Sequence, residues 1–197
     1  LLLGLLTFAW PAFGEPRINE FLAVNNRGLT DGDGEAQDWI EIYNPGAKAV
    51  PLGGWALSDD GESPDKWLFP DIVLGPRKYL VVFASGKDRA DATEPHTNFK
   101  LNGGGEYLGL FKPDAAKAVS EFPPAYPRQH QDISFGLGAG GKLQFFDKPT
   151  PGRANGSGFG GFVADTKFEP NRGFFDAPFR ATLTTATSGT TIRYTLN

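Results

Sequence analysis

The residues best suited to chemistry lie in an acidic loop at positions 31–38, which reads Asp-Gly-Asp-Gly-Glu-Ala-Gln-Asp. Asp31, Asp33 and Glu35 occupy alternate positions, and Asp38 follows them. Carboxylates at alternate positions of a glycine-rich loop suit calcium, which takes roughly six to eight oxygen ligands. The loop lacks the invariant glycine and the final glutamate of an EF-hand. It therefore predicts a candidate calcium site at these four carboxylates, with a solvated Asp-Gly turn as the alternative.

Other patterns that could support chemistry are weaker. Residues 136–142 fit two nucleotide-binding patterns by letter, but both motifs require a helix next, and the run from Leu143 is typical of a strand. We therefore predict a hairpin loop there. The only histidines, His96 and His130, do not have the spacing of a metal pair, and cysteine is absent. With no nucleophile elbow either, the sequence predicts no enzymatic activity in this chain, and no cofactor beyond the candidate calcium.

The elements that must position these residues are short β-strands. Residues 38–44 alternate strictly before a Pro-Gly turn, with Ile40 and Ile42 on one side, which predicts a half-buried strand. The same reasoning predicts a hairpin formed by residues 98–101 and 106–111. Similar patterns predict strands at residues 17–22, 55–59, 66–70, 79–84, 118–122 and 143–146. Long helical periodicity is absent, so the fold class is predicted to be all-β.

The tryptophans permit two interpretations. Trp39, Trp55 and Trp67 could form a sugar-stacking platform if they shared an open face. Large aromatic residues in β-sandwiches more often pack between the sheets. We therefore predict that these three side chains belong to the core.

Composition limits the partners of the chain. Its 197 residues carry a net charge of -4 with a pI near 5.2, and the acidic and basic residues are interspersed. No basic stripe is available for phosphate contacts, so nucleic acid is not an expected partner. The 26 glycines and 16 prolines predict many tight turns.

The two ends of the sequence suggest a fragment. Residues 1–14 combine an apolar run with small residues at Ala12 and Gly14, which predicts a partial signal peptide and hence a secreted or cell-surface location. A first hydrophobic strand or the stub of an anchor is the alternative, but the run is too short to span a bilayer. The sequence contains no Met and ends within a strand-like run.

Several motifs occur together in an order that resembles one known family. They are Ile18-Asn19-Glu20, the strand at residues 38–44, Gly54-Trp55-Ala56-Leu57-Ser58-Asp59, Trp67-Leu68-Phe69-Pro70, the strand at residues 79–86, His96 to Leu101, Gly105 to Leu108, Gln131 to Gly136, and Pro149-Thr150-Pro151-Gly152. Residues 15–155 thereby resemble the lamin-tail domain, and the acidic loop and signal peptide favour its bacterial, exported type. The resemblance implies an immunoglobulin-like β-sandwich, and it implies no catalytic residues.

A second unit is predicted after this one. Residues 156–165 form a linker rich in glycine and serine, and residues 166–197 return to a Thr-rich β pattern. The latter resemble the N-terminal part of the β-sandwich found at the C-terminal end of chitobiase-type glycosidases. That resemblance implies a truncated second β-sandwich domain.

The resemblances imply a non-catalytic module of a larger secreted bacterial protein. Such a module would bind protein or carbohydrate at the cell surface, or space further domains of the same chain. The alternative is an accessory N-terminal domain of an exported enzyme directed at polysaccharide or phosphoester, with its catalytic domain beyond this sequence. Fold analogy alone does not choose between them.

Overall fold

The computed structural model describes residues 14–171 and 173–195. The chain divides into two compact units, Leu1–Phe159 and Gly160–Asn197. Nearly all of the predicted signal peptide, residues 1–13, lies outside the described residues. No helix within the described ranges combines the length and hydropathy that a bilayer crossing requires.

Strands account for the regular structure described in the first unit, apart from a short 3-10 helix at Ala139–Gly141. In chain order they are β1 (Arg17–Leu22), β2 (Asp38–Tyr43), β3 (Val50–Pro51), β4 (Ala56–Ser58), β5 (Trp67–Leu68), β6 (Val73–Leu74), β7 (Tyr79–Ala84), β8 (Gly109–Phe111), β9 (Ser120–Glu121), β10 (Ser134–Leu137) and β11 (Leu143–Phe146). A five-stranded antiparallel sheet has the order β11-β10-β1-β2-β7, and a four-stranded sheet has the order β5-β4-β8-β9. The strands β3 and β6 form a separate pair.

The core lies between the two larger sheets. The alternation of β2 directs Ile40 and Ile42 inward, and both are 0% exposed. They belong to one apolar cluster with Leu57 of β4 and Leu110 of β8, which come from the facing sheet. The burial of side chains from two antiparallel sheets in one layer defines a β-sandwich. The predicted all-β, immunoglobulin-like β-sandwich is confirmed.

A β-bulge in β1 interrupts the alternation of polar and apolar residues. Ile18 pairs with Ile42 and Glu20 pairs with Glu41, so Asn19 is the extra residue. An extra residue places two consecutive side chains on one face. The bulge thus directs the polar groups of Asn19 and Glu20 to the outer face of the sheet, opposite the core.

The strands at residues 17–22, 79–84 and 143–146 were predicted with the bounds that the structure shows. Strand β11 follows the glycine-rich loop directly and pairs with β10, which confirms the hairpin predicted there.

The predicted hairpin of residues 98–101 with residues 106–111 is wrong. Strand β8 pairs with β4 and β9 instead, and residues 98–101 form no strand. The physical reason is that side chains engage the intervening backbone. The N–H of Asn102 donates to Glu106 and to the Tyr126 hydroxyl, at 2.8 and 3.0 Å. Phe99 and Leu101 pack into the core rather than forming a ladder.

The second unit contains one strand pair among its described residues. Strand β12 (Lys167–Glu169) pairs antiparallel with β13 (Thr182–Thr184). Two strands do not make a sandwich, so the second β-sandwich domain stays a prediction, as do the predicted domain boundaries.

Candidate functional site

The acidic loop is shaped by its first carboxylate. Asp31 Oδ1 accepts hydrogen bonds from the backbone N–H groups of Asp33 and Glu35, at 3.1 and 2.9 Å. The Asp31 N–H donates to the Glu35 carbonyl at 2.9 Å, which closes the turn. An aspartate that binds the backbone two residues ahead favours such a turn. The side chain of Asp31 is 0% exposed as a result of this inward position.

Three of the four predicted ligands come together in this loop. One carboxylate oxygen each from Asp31, Asp33 and Glu35 lies within 4.8 Å of the other two. The ammonium group of Lys87 contacts all three, with Nζ at 2.5, 2.6 and 2.7 Å from their oxygens. Arg89 adds a second ion pair to Asp33 at 2.6 Å. A protein cation therefore already occupies the space between the carboxylates that would hold calcium and offsets part of their charge.

These cations shift the pKa values of the loop. The Arg89 guanidinium, followed by Lys87, lowers the pKa of Asp33 to about 2. Burial works against ionisation of Asp31, but hydrogen bonds from Lys87 and from the Glu35 backbone outweigh it and lower its pKa. The three carboxylates in turn raise the pKa of Lys87. Asp31, Asp33 and Lys87 are therefore held in their charged forms at neutral pH.

Asp38, the fourth predicted ligand, is not part of this group. Its Oδ1 accepts a hydrogen bond from the N–H of Asn25 at 3.0 Å. Burial raises the pKa of Asp38 to about 6, and the Asn25 hydrogen bond only partly offsets that rise. The first residue of β2 thus anchors the loop that follows β1. Calcium binding by the other three carboxylates stays a prediction.

The acidic loop is also connected to a buried histidine. The N–H of Gly32 donates to Glu94 Oε2 at 2.8 Å, and Glu94 Oε1 lies 3.1 Å from His96 Nε2. His96 Nδ1 lies 2.9 Å from the Ser85 hydroxyl. This Ser-His-Glu chain has the hydrogen-bond order of a hydrolase triad. A nucleophile needs access to substrate, however, and Ser85 is 5% exposed while His96 is 0% exposed.

The chain of hydrogen bonds from Ser85 to Glu94 follows the edge of the five-stranded sheet. His96 forms a parallel bridge with Phe83 of β7, and the Phe83 N–H donates to the Pro95 carbonyl at 2.9 Å. The Lys87 N–H donates to the Ser85 hydroxyl at 3.1 Å. These contacts position the Lys87 ammonium opposite the acidic loop. His96 therefore takes part in the packing and hydrogen bonding of this sheet edge.

A second group of carboxylates lies buried on the outer face of the same sheet. Glu20 and Glu41 are paired across β1 and β2, and both are 0% exposed. Residues 149–155, which we call the closing segment, cover them. The hydroxyl of Thr150 donates to Glu20 at 2.7 Å, and the N–H of Gly152 donates to Glu41 at 2.5 Å.

Further hydrogen bonds complete this buried network. The Ser134 hydroxyl also donates to Glu20. The Asn19 amide donates to Glu41 and to Asn155 Oδ1, at 2.8 Å in each case. Asn155 donates back to the carbonyls of Asn19 and Leu137, at 3.2 and 3.0 Å. The closing segment is therefore fixed to three neighbouring strands.

No ion pair to a cation is present in this network within the described residues. Burial raises the pKa of Glu41 to about 8, although hydrogen bonds from Asn19 and Gly152 act in the opposite direction. The neighbouring charge of Glu20 adds to that rise. Burial likewise raises the pKa of Glu20. Protonation of Glu41 near neutral pH relieves the repulsion between the pair.

The tryptophans do not form an open platform. Trp55 and Trp67 are 6% and 3% exposed and belong to the main core, as predicted. Trp39 is 0% exposed but packs with Leu22 and Phe83 in a separate cluster. That cluster lies on the outer face of the five-stranded sheet, because Trp39 alternates with the inward Ile40.

The sequence reasoning missed both the cation in the acidic loop and the buried pair. Lys87 lies 56 residues after Asp31, a distance that no local pattern covers. Glu20 and Glu41 each lie beside large apolar residues within a strand, which was a usable signal. A charged residue at such a position is rarely buried without a partner, so it could have prompted a search for donors elsewhere.

Comparison with known proteins supports the interpretation of the fold. No curated protein matches this chain. The family model described as Lamin Tail Domain matches residues 11–123, more than half of the sequence. The match covers the acidic loop, Lys87, Ser85, His96 and the strands β1 to β9. The chain therefore belongs to the lamin tail domain family.

Proposed function

We propose that this chain is a non-catalytic interaction module of a larger secreted or cell-surface protein. One observation carries the proposal: the side chains suited to chemistry in residues 14–159 are engaged in holding the fold together. The acidic loop binds Lys87, and the buried glutamates bind the closing segment. Ser85 and His96 are hydrogen-bonded and buried.

Of the two partner classes expected, the exposed surface favours protein over carbohydrate. Sugar binding relies on aromatic faces open to solvent. Within residues 14–159 every Trp, Tyr and Phe is at least partly buried. The two most accessible tyrosines of the sheet, Tyr43 and Tyr79, stack on each other with ring centroids 4.5 Å apart. Exposed aromatic residues do occur in the second unit, where Phe174 is fully exposed.

The non-catalytic role is tested by assaying the full chain against ester, phosphoester and glycoside substrates. We expect no turnover above the uncatalysed rate. Turnover that disappears in the Ser85→Ala variant would contradict the proposal and would assign a hydrolase function to the Ser85–His96–Glu94 chain. The hydroxyl-retaining Ser85→Thr variant is the matched control.

The binding role is tested by exposing the immobilised full chain to a displayed peptide library and to a glycan array. We expect saturable, reversible binding of peptides. Glycan binding in place of peptide binding would redirect the function to carbohydrate, and the absence of both would refute an interaction module. Export is tested separately, by fractionating cells that express the natural protein from its own start codon.

A further inference from the structure

A groove lies on the outer face of the five-stranded sheet, beside the closing segment. Its volume is about 450 Å³, within the range of ligand-binding clefts. Leu22 and Trp39 of the sheet line it, together with Leu29 and the prolines 149 and 151. Leu29 is 36% exposed and is one of the few large apolar side chains accessible in the first unit. The groove is therefore largely apolar and open to solvent.

Two arginines give the groove its charge. Arg27 and Arg153 both line it and are exposed. Within the described residues, neither guanidinium forms an ion pair or a side-chain hydrogen bond. Their charges are therefore available to a carboxylate from outside, in the planar arrangement that arginine favours.

The one carboxylate that lines the groove, Asp132, forms no ion pair with these arginines within the described residues, although the Arg27 charge helps to lower its pKa. Asp132 Oδ1 accepts hydrogen bonds from the N–H groups of Asn26 and Arg27, at 2.8 and 2.9 Å. Its other oxygen accepts one from Gln131 at 3.2 Å. These hydrogen bonds, the Asn26 contact first among them, lower the pKa of Asp132 despite some burial. Asp132 thus holds the loop that carries Arg27, and the two arginines leave the groove with excess positive charge.

An unsatisfied donor adds an independent indication of a ligand. Trp39 is 0% exposed, and its indole Nε1 has no hydrogen-bond partner among the described residues. Leaving a buried N–H unpaired costs about 1–3 kcal/mol, so such groups usually have a reason. This donor belongs to a side chain that lines the groove.

We propose that this groove binds an acidic peptide segment of a protein partner, in which an apolar side chain adjoins an Asp or Glu. The carboxylate pairs with Arg27 and Arg153, and the apolar side chain packs on Leu22 and Leu29. An acceptor on the segment satisfies Trp39 Nε1 once the side chains above it shift. The proposal rests on the proposed function as an interaction module and adds the chemistry of its partner.

The test starts from the full chain and a displayed library of random peptides. We expect the enriched sequences to carry Asp or Glu beside a large apolar residue. A representative peptide is then synthesised with acetylated and amidated ends, and its affinity is measured by titration calorimetry. Replacing its Asp or Glu by Asn or Gln should weaken binding about tenfold, which corresponds to about 1.4 kcal/mol. A version with a free C-terminal carboxylate shows whether that group can substitute for the side chain.

Substitutions in the protein locate the site. Arg27→Gln and Arg153→Gln should each weaken binding about tenfold, as expected for the loss of one charge-assisted pair. Arg128→Gln is the matched control, since Arg128 is exposed and does not line the groove. All three variants should unfold at the same denaturant concentration as the natural sequence, which separates lost binding from lost folding.

The Trp39 indole provides a direct readout. In a ¹⁵N–¹H spectrum, its Nε1–H resonance should move downfield when the peptide saturates the protein, while those of Trp55 and Trp67 should stay in place. Peptides that bind without this shift, and equally well to the arginine variants, would show that the groove is not the binding site. Such peptides would still support the proposed interaction module. A library that yields no peptide would also refute peptide binding at the groove. The proposal of an interaction module would then require binding on the glycan array.

Discussion

Two groups of carboxylates, one in the loop between β1 and β2 and one on those strands, have pKa values shifted in opposite directions. In the acidic loop, Lys87 and Arg89 lower the pKa of Asp33 to about 2. On the outer face of β1 and β2, burial raises the pKa of Glu41 to about 8. The first group is stabilised as anions by protein cations. The second accepts hydrogen bonds from neutral donors, and those from Thr150 and Gly152 hold the closing segment.

This difference shows that acidic residues alone do not indicate a site. The spacing of the carboxylates in the acidic loop suits a metal, but Lys87 already forms ion pairs with all three of them. The buried group forms no ion pair within the described residues, yet it accepts hydrogen bonds from Thr150 and Gly152 that fix the closing segment. What decides the role of a carboxylate here is the partner that reaches it, and that partner comes from far along the chain.

The largest expected effect comes from removing one buried acceptor. Glu20→Ala leaves the Thr150 N–H and two hydroxyl groups without their acceptor, which should lower the free energy of unfolding by about 3–5 kcal/mol. Urea unfolding followed by tryptophan fluorescence measures it, because Trp39, Trp55 and Trp67 are buried in the first unit.

Glu62→Ala is the matched control for this substitution, since Glu62 is exposed, and it should change stability by less than about 0.5 kcal/mol. Equal effects of the two substitutions would show that the closing segment does not depend on Glu20. A double-mutant cycle with Thr150→Val should be strongly non-additive, because the two residues share one hydrogen bond.

The next largest effect is a dependence of stability on pH. The folded pKa of Glu41, about 8, lies above its unfolded value of 4.5. Between these values the folded state binds more protons than the unfolded state, so stability is highest below about pH 4.5 and falls as the pH rises through 8. The expected loss is about 3–5 kcal/mol as an upper bound.

Glu41→Gln should flatten this pH dependence, because the amide cannot ionise. Urea unfolding at several pH values between 5 and 8.5 measures both proteins. Asp31 and Asp33 contribute little within this window, since their pKa values are lowered, whereas Asp38, with a pKa of about 6, contributes to both proteins alike. A profile for Glu41→Gln as steep as that of the natural sequence would assign the pH dependence to another group.

A smaller effect is expected from the acidic loop. Lys87→Met leaves the buried carboxylate of Asp31 without its cation and three carboxylates facing one another, which should lower the urea midpoint of unfolding. Arg89→Gln is the control, because its ion pair with Asp33 is exposed and its loss should leave that midpoint nearly unchanged. Equal losses would mean that the burial of Asp31 does not distinguish the two cations.

The smallest expected effect concerns calcium. We expect millimolar calcium to leave the thermal midpoint of the natural sequence unchanged, because Lys87 occupies the space between the carboxylates. In Lys87→Met the same calcium concentration should raise the midpoint by about 2–4 °C. Magnesium is the control cation, since it requires a stricter geometry. A rise in the natural sequence would establish the calcium site predicted at Asp31, Asp33 and Glu35.

Much of the fold could be predicted because the alternation or apolar run that marks each strand is visible in its own few residues. Residues 17–22, 79–84 and 143–146 alternate or run apolar between turn residues, and they form strands as predicted. The hairpin at residues 98–111 failed for a non-local reason. The hydroxyl of Tyr126, 24 residues away, holds the backbone of Asn102 out of a ladder.

The candidate site was harder to predict, because its decisive contacts join distant residues. The sequence spacing indicated Asp31, Asp33 and Glu35, but it could not indicate Lys87, which lies among them only in the folded structure. The bulge at Asn19 could not be predicted from alternation, and it is the bulge that directs Glu20 to the outer face. Arg27 and Arg153 are 126 positions apart in the sequence and line one groove only after the closing segment has docked.

The distance along the chain between Glu20 and Thr150 also matters during synthesis. These residues are 130 positions apart, so β1 leaves the ribosome long before its closing partner. Until then Glu20 and Glu41 are solvated and ionised, since unfolded glutamate titrates near 4.3. Two adjacent negative charges on a hydrophobic strand pair act as gatekeepers against association between nascent chains. The residues that secure the finished domain thus also protect its incomplete form.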